Sequence, residues 1–263
     1  MKTLLLLLTG LAGLSQVSCG QNPGNTSSLS APAAVAAIHD SLVMHTIHFT
    51  SADQLTITAD EYKTSDTLPW ILLCHQAGYS RGEYRETAAE FAAFGYNCLA
   101  IDQRSGNEVN GVTNETAALA KSKKLPAAYL DAEQDIIAAL DYLFAKSGKP
   151  VVLVGSSYSA GLVLKIAVNN PKVKAVLAFS PGEYYGSALK LGETIAPLDK
   201  PVFITSSKEE AADTKKIFDG IASKNKTQFV PKGEGIHGSK ALWKSNADHE
   251  EYEKAVSDFF ASL

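Results

Sequence analysis

Cysteine is scarce in this chain: three in 263 residues, at positions 19, 74 and 98. No C-x-x-C pair and no Cys/His spacing of a zinc site occurs, so no metal ligand set is expected. A basic stripe is also missing. Lys and Arg number 24 against 28 Asp and Glu, the net charge is −4, and both signs are mixed along the chain. Nucleic-acid binding needs clustered positive charge, so a nucleic-acid partner is not expected. There is no internal repeat. The apolar stretch from Leu4–Leu8 through Leu14 is too short to cross a bilayer as a stable helix. Cys74 and Cys98 each sit inside an apolar run, Cys74 late in its run and Cys98 early in the next. In parallel neighbouring strands they fall at opposite ends, which predicts free, buried thiols and no disulfide.

What is present first is a leader. Lys2, the leucine-rich run and the small polar exit Ser15–Ser18 mark residues 1–19 as a targeting segment. Cys19 after Ser18 resembles the lipidated first residue of a bacterial lipoprotein, although Gln16 stands where such sites usually carry an aliphatic residue. Ordinary signal-peptide cleavage is the alternative. Both readings place the protein outside the cytoplasm, anchored to a membrane through the lipid in the first case and periplasmic or secreted in the second. Residues 20–40, rich in Asn, Ser, Gly, Pro and Ala, read as a flexible tether. Residues 41–263 are then one domain of ordinary α/β size.

The pattern over that domain predicts a hairpin followed by alternating strands and helices. His45–Thr50 and Leu55–Tyr62 alternate around a polar turn. Pro69–Cys74, Asn97–Ile101, Val151–Val154, Lys174–Phe179 and Pro201–Thr205 are buried strands, and Thr227–Val230 is a last short one. Helices are expected at Tyr84–Phe94, Asp131–Lys146, from the serines after Gly155 to about Val168, at Asp213–Ser223 and from Lys240 to Phe260. Ser105–Leu130 is a long polar connection, and Pro181–Lys200, with Glu183, Tyr184 and Tyr185, is long enough for only a small cap. The fold class is α/β, with a mostly parallel sheet covered on both faces. Functional side chains should collect in the loops at the carboxyl ends of its strands.

One segment carries chemistry. Val151–Val154 ends at Gly155, Ser157 follows two residues later among small neighbours, and a helical pattern starts at once. That is the layout of a nucleophile elbow, G-x-S-x-G, with Ser159 at the last position in place of Gly. A serine hydroxyl needs a base and an acid to orient it. Only His237 and His249 follow Ser157. His237, in the loop Gly233–Gly238, is preferred to His249, which lies in an acidic helical stretch. The acid should follow the strand Pro201–Thr205. The loop there offers Glu209 and Glu210 and no Asp before Asp213, and counting from Pro201 favours Glu210. An oxyanion hole needs the N–H of the residue after the nucleophile, Tyr158, and a second N–H from the loop after an earlier strand.

That loop, His75-Gln76-Ala77-Gly78, resembles the His-Gly-x-Gly segment of α/β-hydrolases, with Gln76 in place of the first Gly. The resemblance implies that Ala77 supplies the second N–H, with Gln76 the near alternative. Asp102-Gln103-Arg104-Ser105 is similar to the D-x-R-G segment of the same superfamily. The short sheet, closing His-Gly and small cap look most like its dienelactone-hydrolase-like branch, several members of which use Cys as nucleophile. The expectation is an exported serine hydrolase that cleaves small carboxylic esters through an acyl-enzyme, with no metal or organic cofactor. A thioesterase or small-peptide hydrolase with the same triad, and a non-catalytic binding lipoprotein, are the alternatives.

Overall fold

The computed structural model describes residues 42–263. The leader, Cys19, the whole 20–40 tether and residue 41 lie outside the described residues. In chain order the strands are β1 (Val43–Thr50), β2 (Thr56–Lys63), β3 (Trp70–Cys74), β4 (Asn97–Ile101), β5 (Glu108–Val109), β6 (Val112–Thr113), β7 (Val151–Ser156), β8 (Val173–Phe179), β9 (Val202–Thr205) and β10 (Lys226–Phe229). The α-helices are α1 (Ala88–Ala93), α2 (Glu115–Ser122), α3 (Glu133–Ser147), α4 (Tyr158–Ala167), α5 (Leu191–Ile195), α6 (Ala211–Gly220) and α7 (His249–Ala261).

Eight strands form one sheet in the order β1-β2-β4-β3-β7-β8-β9-β10. The β1–β2 hairpin and the β2–β4 pair are antiparallel, and every pair from β4 to β10 is parallel. The central strands are buried along their whole length, as their continuous apolar sequence requires. Successive side chains alternate between the two faces. Leu72, Leu99 and Leu153 face one core with Leu140 of α3, Leu162 of α4 and Ile217 of α6. Ile71, Cys98 and Val152 face the other with Phe91 of α1 and Val256 and Phe259 of α7. Cys74 belongs to the first core and Cys98 to the second, and their register partners are Ile101 and Ile71. They are therefore separated along the strand and across the sheet, and both thiols are free.

Three segments differ from the sequence expectation. The helix expected from Tyr84 begins only at Ala88, because Arg81–Tyr84 is a 3-10 turn pinned to the sheet. Its Tyr84 hydroxyl donates to Cys74 O at 2.8 Å, and the Arg81 N–H donates to Asp102 Oδ1 at 2.8 Å. The closing helix is broken into a 3-10 turn, Ser239–Leu242, and α7. The intervening chain is held by Trp243 Nε1, which donates to Glu83 O at 2.9 Å, and by Asn246 Nδ2, which donates to Ala241 O at 2.7 Å. The Ser105–Leu130 connection is largely ordered structure: the β5–β6 hairpin and α2, whose N-terminus is capped by Asn114 Oδ1 accepting from Ala117 N at 2.7 Å. No described helix is long and apolar enough to cross a membrane.

Candidate active site

Ser157 sits between β7 and α4 with φ 58° and ψ −121°, a conformation that non-glycine residues rarely adopt. Its N–H donates to Phe179 O at 2.8 Å, which locks the turn to β8. Gly155 is required by the close approach of strand and helix: a Cβ there would lie 2.6 Å from Ser159 O and 2.7 Å from Ala160 Cα. Ser159, where the motif calls for Gly, fits because its hydroxyl is absorbed by the turn. Its Oγ donates toward Cys74 O at 2.8 Å and Ser156 O at 2.9 Å and accepts from Ser156 N at 2.9 Å. Ser157 is 8 % exposed and lies at the carboxyl edge of the sheet.

His237 leaves the loop after β10 and hydrogen-bonds through Nδ1 to Glu210 Oε1. Glu210 lies after β9 at the start of α6. Its other oxygen, Oε2, accepts from Ser180 Oγ at 2.7 Å, Ser207 Oγ at 3.0 Å and Ser207 N at 3.2 Å. Burial pushes the Glu210 carboxyl up, but the bonds from His237 and Ser180 and the charge of His237 outweigh it and hold its pKa at about 2. Glu209 is exposed and makes no side-chain hydrogen bond within the described residues. His249 instead opens α7, with Nδ1 against Asn246 O at 2.8 Å. The His237 loop is fastened to the elbow from behind, since Ser239 N donates to Ser156 Oγ at 2.8 Å and Gly238 N to Ser180 Oγ at 3.0 Å. Among the described residues no hydrogen bond joins Ser157 Oγ to His237. The phenol of Tyr184, which donates to Ser180 O at 3.0 Å, lies beside the serine hydroxyl.

The two backbone donors are prepared differently. Tyr158 N–H is at the first position of α4, where a helix leaves amides without an internal acceptor. Ala77 N–H has no acceptor within the described residues. Gln76 N–H, the alternative donor, is taken: it donates to Glu83 Oε2 at 2.7 Å. The Gln76 side-chain oxygen is buried without a partner. His75 at the start of this loop is fully buried. Its Nε2 accepts from Gln103 N at 2.9 Å, so its Nδ1 carries the proton and donates to Gln76 O at 2.8 Å. Burial pushes its pKa down to about 4 despite these bonds, so it is neutral and shapes the loop.

Two hollows flank the site. One of about 600 Å³ runs along Ala77, Gly78, Ser105 and Tyr129. The other, about 590 Å³, lies under the cap between Tyr184, Glu210 and Ile217. Among the described residues no group of three or more His, Cys, Asp or Glu side chains is placed to hold a metal ion. Ser180 and Glu83 were not singled out from sequence. The only available signal for Ser180 was its position, directly after a buried strand that neighbours the elbow strand.

A family model described as the dienelactone hydrolase family matches residues 58–261. A search of curated proteins found no match. Among solved structures the chain is similar to the Pyrococcus furiosus esterase Pf2001, with a TM-score of 0.66 and 15 % identity over 92 % of this chain and 99 % of that one. It is similar to a dienelactone hydrolase from Anabaena variabilis, with a TM-score of 0.67 and 14 % identity over 85 % and 99 %. An acylaminoacyl peptidase from Pyrococcus horikoshii matches with a TM-score of 0.63 and 15 % identity, over 86 % of this chain and 43 % of that one. At such identities these structures establish the fold alone.

Proposed function

The chain belongs to the dienelactone hydrolase family, and on that premise we propose that it is a serine hydrolase cleaving small carboxylic esters through an acyl-enzyme. The hydrogen-bonded Glu210–His237 pair, on a loop tied to the elbow of Ser157, is the observation that carries this reading. Ser157 Oγ attacks the ester carbonyl, and its proton passes to His237 Nε2. The tetrahedral oxyanion is held by the N–H groups of Ala77 and Tyr158, each such donor being worth about 10²–10³ in rate. The alkoxide leaves with the proton from His237. Water, deprotonated by His237, then attacks the acyl-enzyme, and Ser157 recovers its proton as the acid is released. Glu210 keeps the Nδ1 proton of His237 oriented and stabilises the imidazolium. The free thiols of Cys74 in β3 and Cys98 in β4 are both fully buried, and burial pushes each of them up, which supports Ser157 as the nucleophile.

The test is covalent labelling by a fluorophosphonate probe together with hydrolysis of p-nitrophenyl acetate. Both should occur in the intact protein and be lost in Ser157→Ala and His237→Ala. Full hydrolysis by a folded Ser157→Ala protein would overturn the reading, and an intact protein that neither labels nor hydrolyses would leave a binding scaffold. The leader supports a location outside the cytoplasm, with Cys19 as the lipid-bearing residue. Metabolic labelling with a fatty acid, lost in Cys19→Ala, tests that anchor.

A further inference from the structure

The search for chemistry outside the triad leads to Glu83. This side chain is fully buried, and among the described residues no Lys, Arg or His lies within ion-pair distance of it. An acid so placed needs a reason, because burial without a cation is costly. Its partners supply one. Oε2 accepts the Gln76 N–H at 2.7 Å, and Oε1 accepts from Ser239 Oγ at 2.6 Å. Gln76 directly precedes Ala77. Ser239 lies two residues after His237 and donates its own N–H to Ser156 Oγ at 2.8 Å, one residue before Ser157. The Glu83 carbonyl accepts from Trp243 Nε1 at 2.9 Å, which holds the far end of the histidine segment. One residue therefore bonds the oxyanion loop directly to the histidine loop, and through Ser239 to the elbow.

We infer that Glu83 is a positioning residue: its carboxyl fixes the oxyanion donor Ala77 and the base His237 relative to each other and to Ser157. The inference rests on the serine-hydrolase reading above. The geometry suits that task. The bond to Gln76 turns that amide away from the substrate and leaves the next N–H, that of Ala77, as the donor. The bond to Ser239 sets the loop in which Gly238, at φ 77°, turns the chain between His237 and the elbow. Burial raises the Glu83 pKa, and the bonds from Ser239 and Gln76 only partly offset it. The two bonds are single contacts to one backbone N–H and one hydroxyl, so a neutral amide of the same shape should serve in its place, accepting from Gln76 N–H through its oxygen and donating to Ser239 Oγ through its nitrogen.

The experiment compares intact protein, Glu83→Ala, Glu83→Gln and Ser239→Ala. Active sites are counted by fluorophosphonate labelling and turnover of p-nitrophenyl acetate is expressed per labelled site, so that loss of folded protein does not enter the rate. Glu83→Ala should lower kcat per labelled site by about 100-fold, the scale of a misplacement of about 1 Å, with KM changed by less than about threefold. Glu83→Gln should restore most of that loss, and Ser239→Ala should show a part of it. A cooperatively melting Glu83→Ala protein with kcat per site within about twofold of the intact one overturns the inference. If Glu83→Ala does not fold, an unchanged kcat per site in Ser239→Ala overturns it instead. An intact protein that is not labelled fails the hydrolase reading and this inference with it, whereas a labelled protein beside unimpaired variants fails this inference alone.

Discussion

Ser180 stands behind Glu210: its Oγ donates to Glu210 Oε2 at 2.7 Å and accepts the Gly238 N–H at 3.0 Å. The same hydroxyl thus holds the carboxylate and the residue after His237. Ser180 is buried and has a positive φ of 53°, so the end of β8 is bent to bring it there. Ser180→Ala removes both bonds while Ser207 still holds Glu210. A hydrogen bond to a charged group contributes about 1.5–3 kcal/mol, so kcat should fall by about 10- to 100-fold. KM should be little changed, because Ser180 supports the acid and not the substrate. Steady-state kinetics on the purified variant check this, and an unchanged kcat shows that Ser207 suffices.

The two adjacent glutamates should separate cleanly. Glu210→Ala removes the partner of His237 Nδ1 and should lower kcat by about 10³- to 10⁴-fold, as loss of the orienting acid does in Ser-His-acid enzymes. Glu209→Ala should leave activity within about twofold of the intact protein, since its side chain is exposed. Equal losses in both variants would mean that the local helix start, and not one carboxylate, is what matters.

The pattern of the chain revealed the sheet, and it pointed to Ser157, His237 and a following glutamate as candidates, because these depend on local properties: apolar runs, a Gly at a tight turn and the rule that sites collect at strand ends. The choice between Glu209 and Glu210 was only partly legible: counting from Pro201 favoured Glu210, the residue that bonds His237, but a one-residue slip at a strand end changes which side chain faces β8. The preference for Ala77 over Gln76 came from the resemblance and not from the residues themselves, since it depends on Glu83 taking the Gln76 N–H across seven residues of chain. The elements within the long polar Ser105–Leu130 connection were not legible because their order comes from single buried polar residues rather than periodicity. Asn114 caps α2 and also donates to Tyr79 O at 3.1 Å and Gln103 O at 2.9 Å. Composition cannot distinguish such an asparagine from one in solvent.

Ser159 offers a direct test of the motif. Restoring the glycine of G-x-S-x-G by Ser159→Gly should destabilise the protein, because it removes the acceptor of Ser156 N–H, leaves Cys74 O with the Tyr84 hydroxyl as its remaining hydroxyl donor, and places Gly in the first turn of α4. The expected cost is about 1–3 kcal/mol, combining lost hydrogen bonds with the poorer helix propensity of Gly. Urea unfolding of the two proteins measures it. A variant more stable than the parent would mean that the strand–helix contact is strained by the serine.

His75 makes the stability of the fold depend on pH in a defined direction. Its ordinary pKa is near 6.5 in the unfolded chain, and burial pushes it down to about 4 in the fold. Between these values the unfolded chain binds a proton that the native protein refuses, so stability falls as pH drops from about 6.5 toward 4. Above that window the neutral imidazole costs nothing. The difference between pH 7 and pH 4.5 should be roughly 2–3 kcal/mol from this group. Glu83 acts in the opposite sense, since its raised pKa makes the fold less stable as pH rises above the usual glutamate range. The comparison is therefore made within one pair of proteins. His75→Gln can still accept from Gln103 N–H but cannot titrate, so its loss of stability on acidification should be smaller than that of the parent by the stated amount. Urea midpoints at the two pH values, read for both proteins, decide it, and parallel losses would mean that acid sensitivity comes from carboxylates elsewhere in the fold.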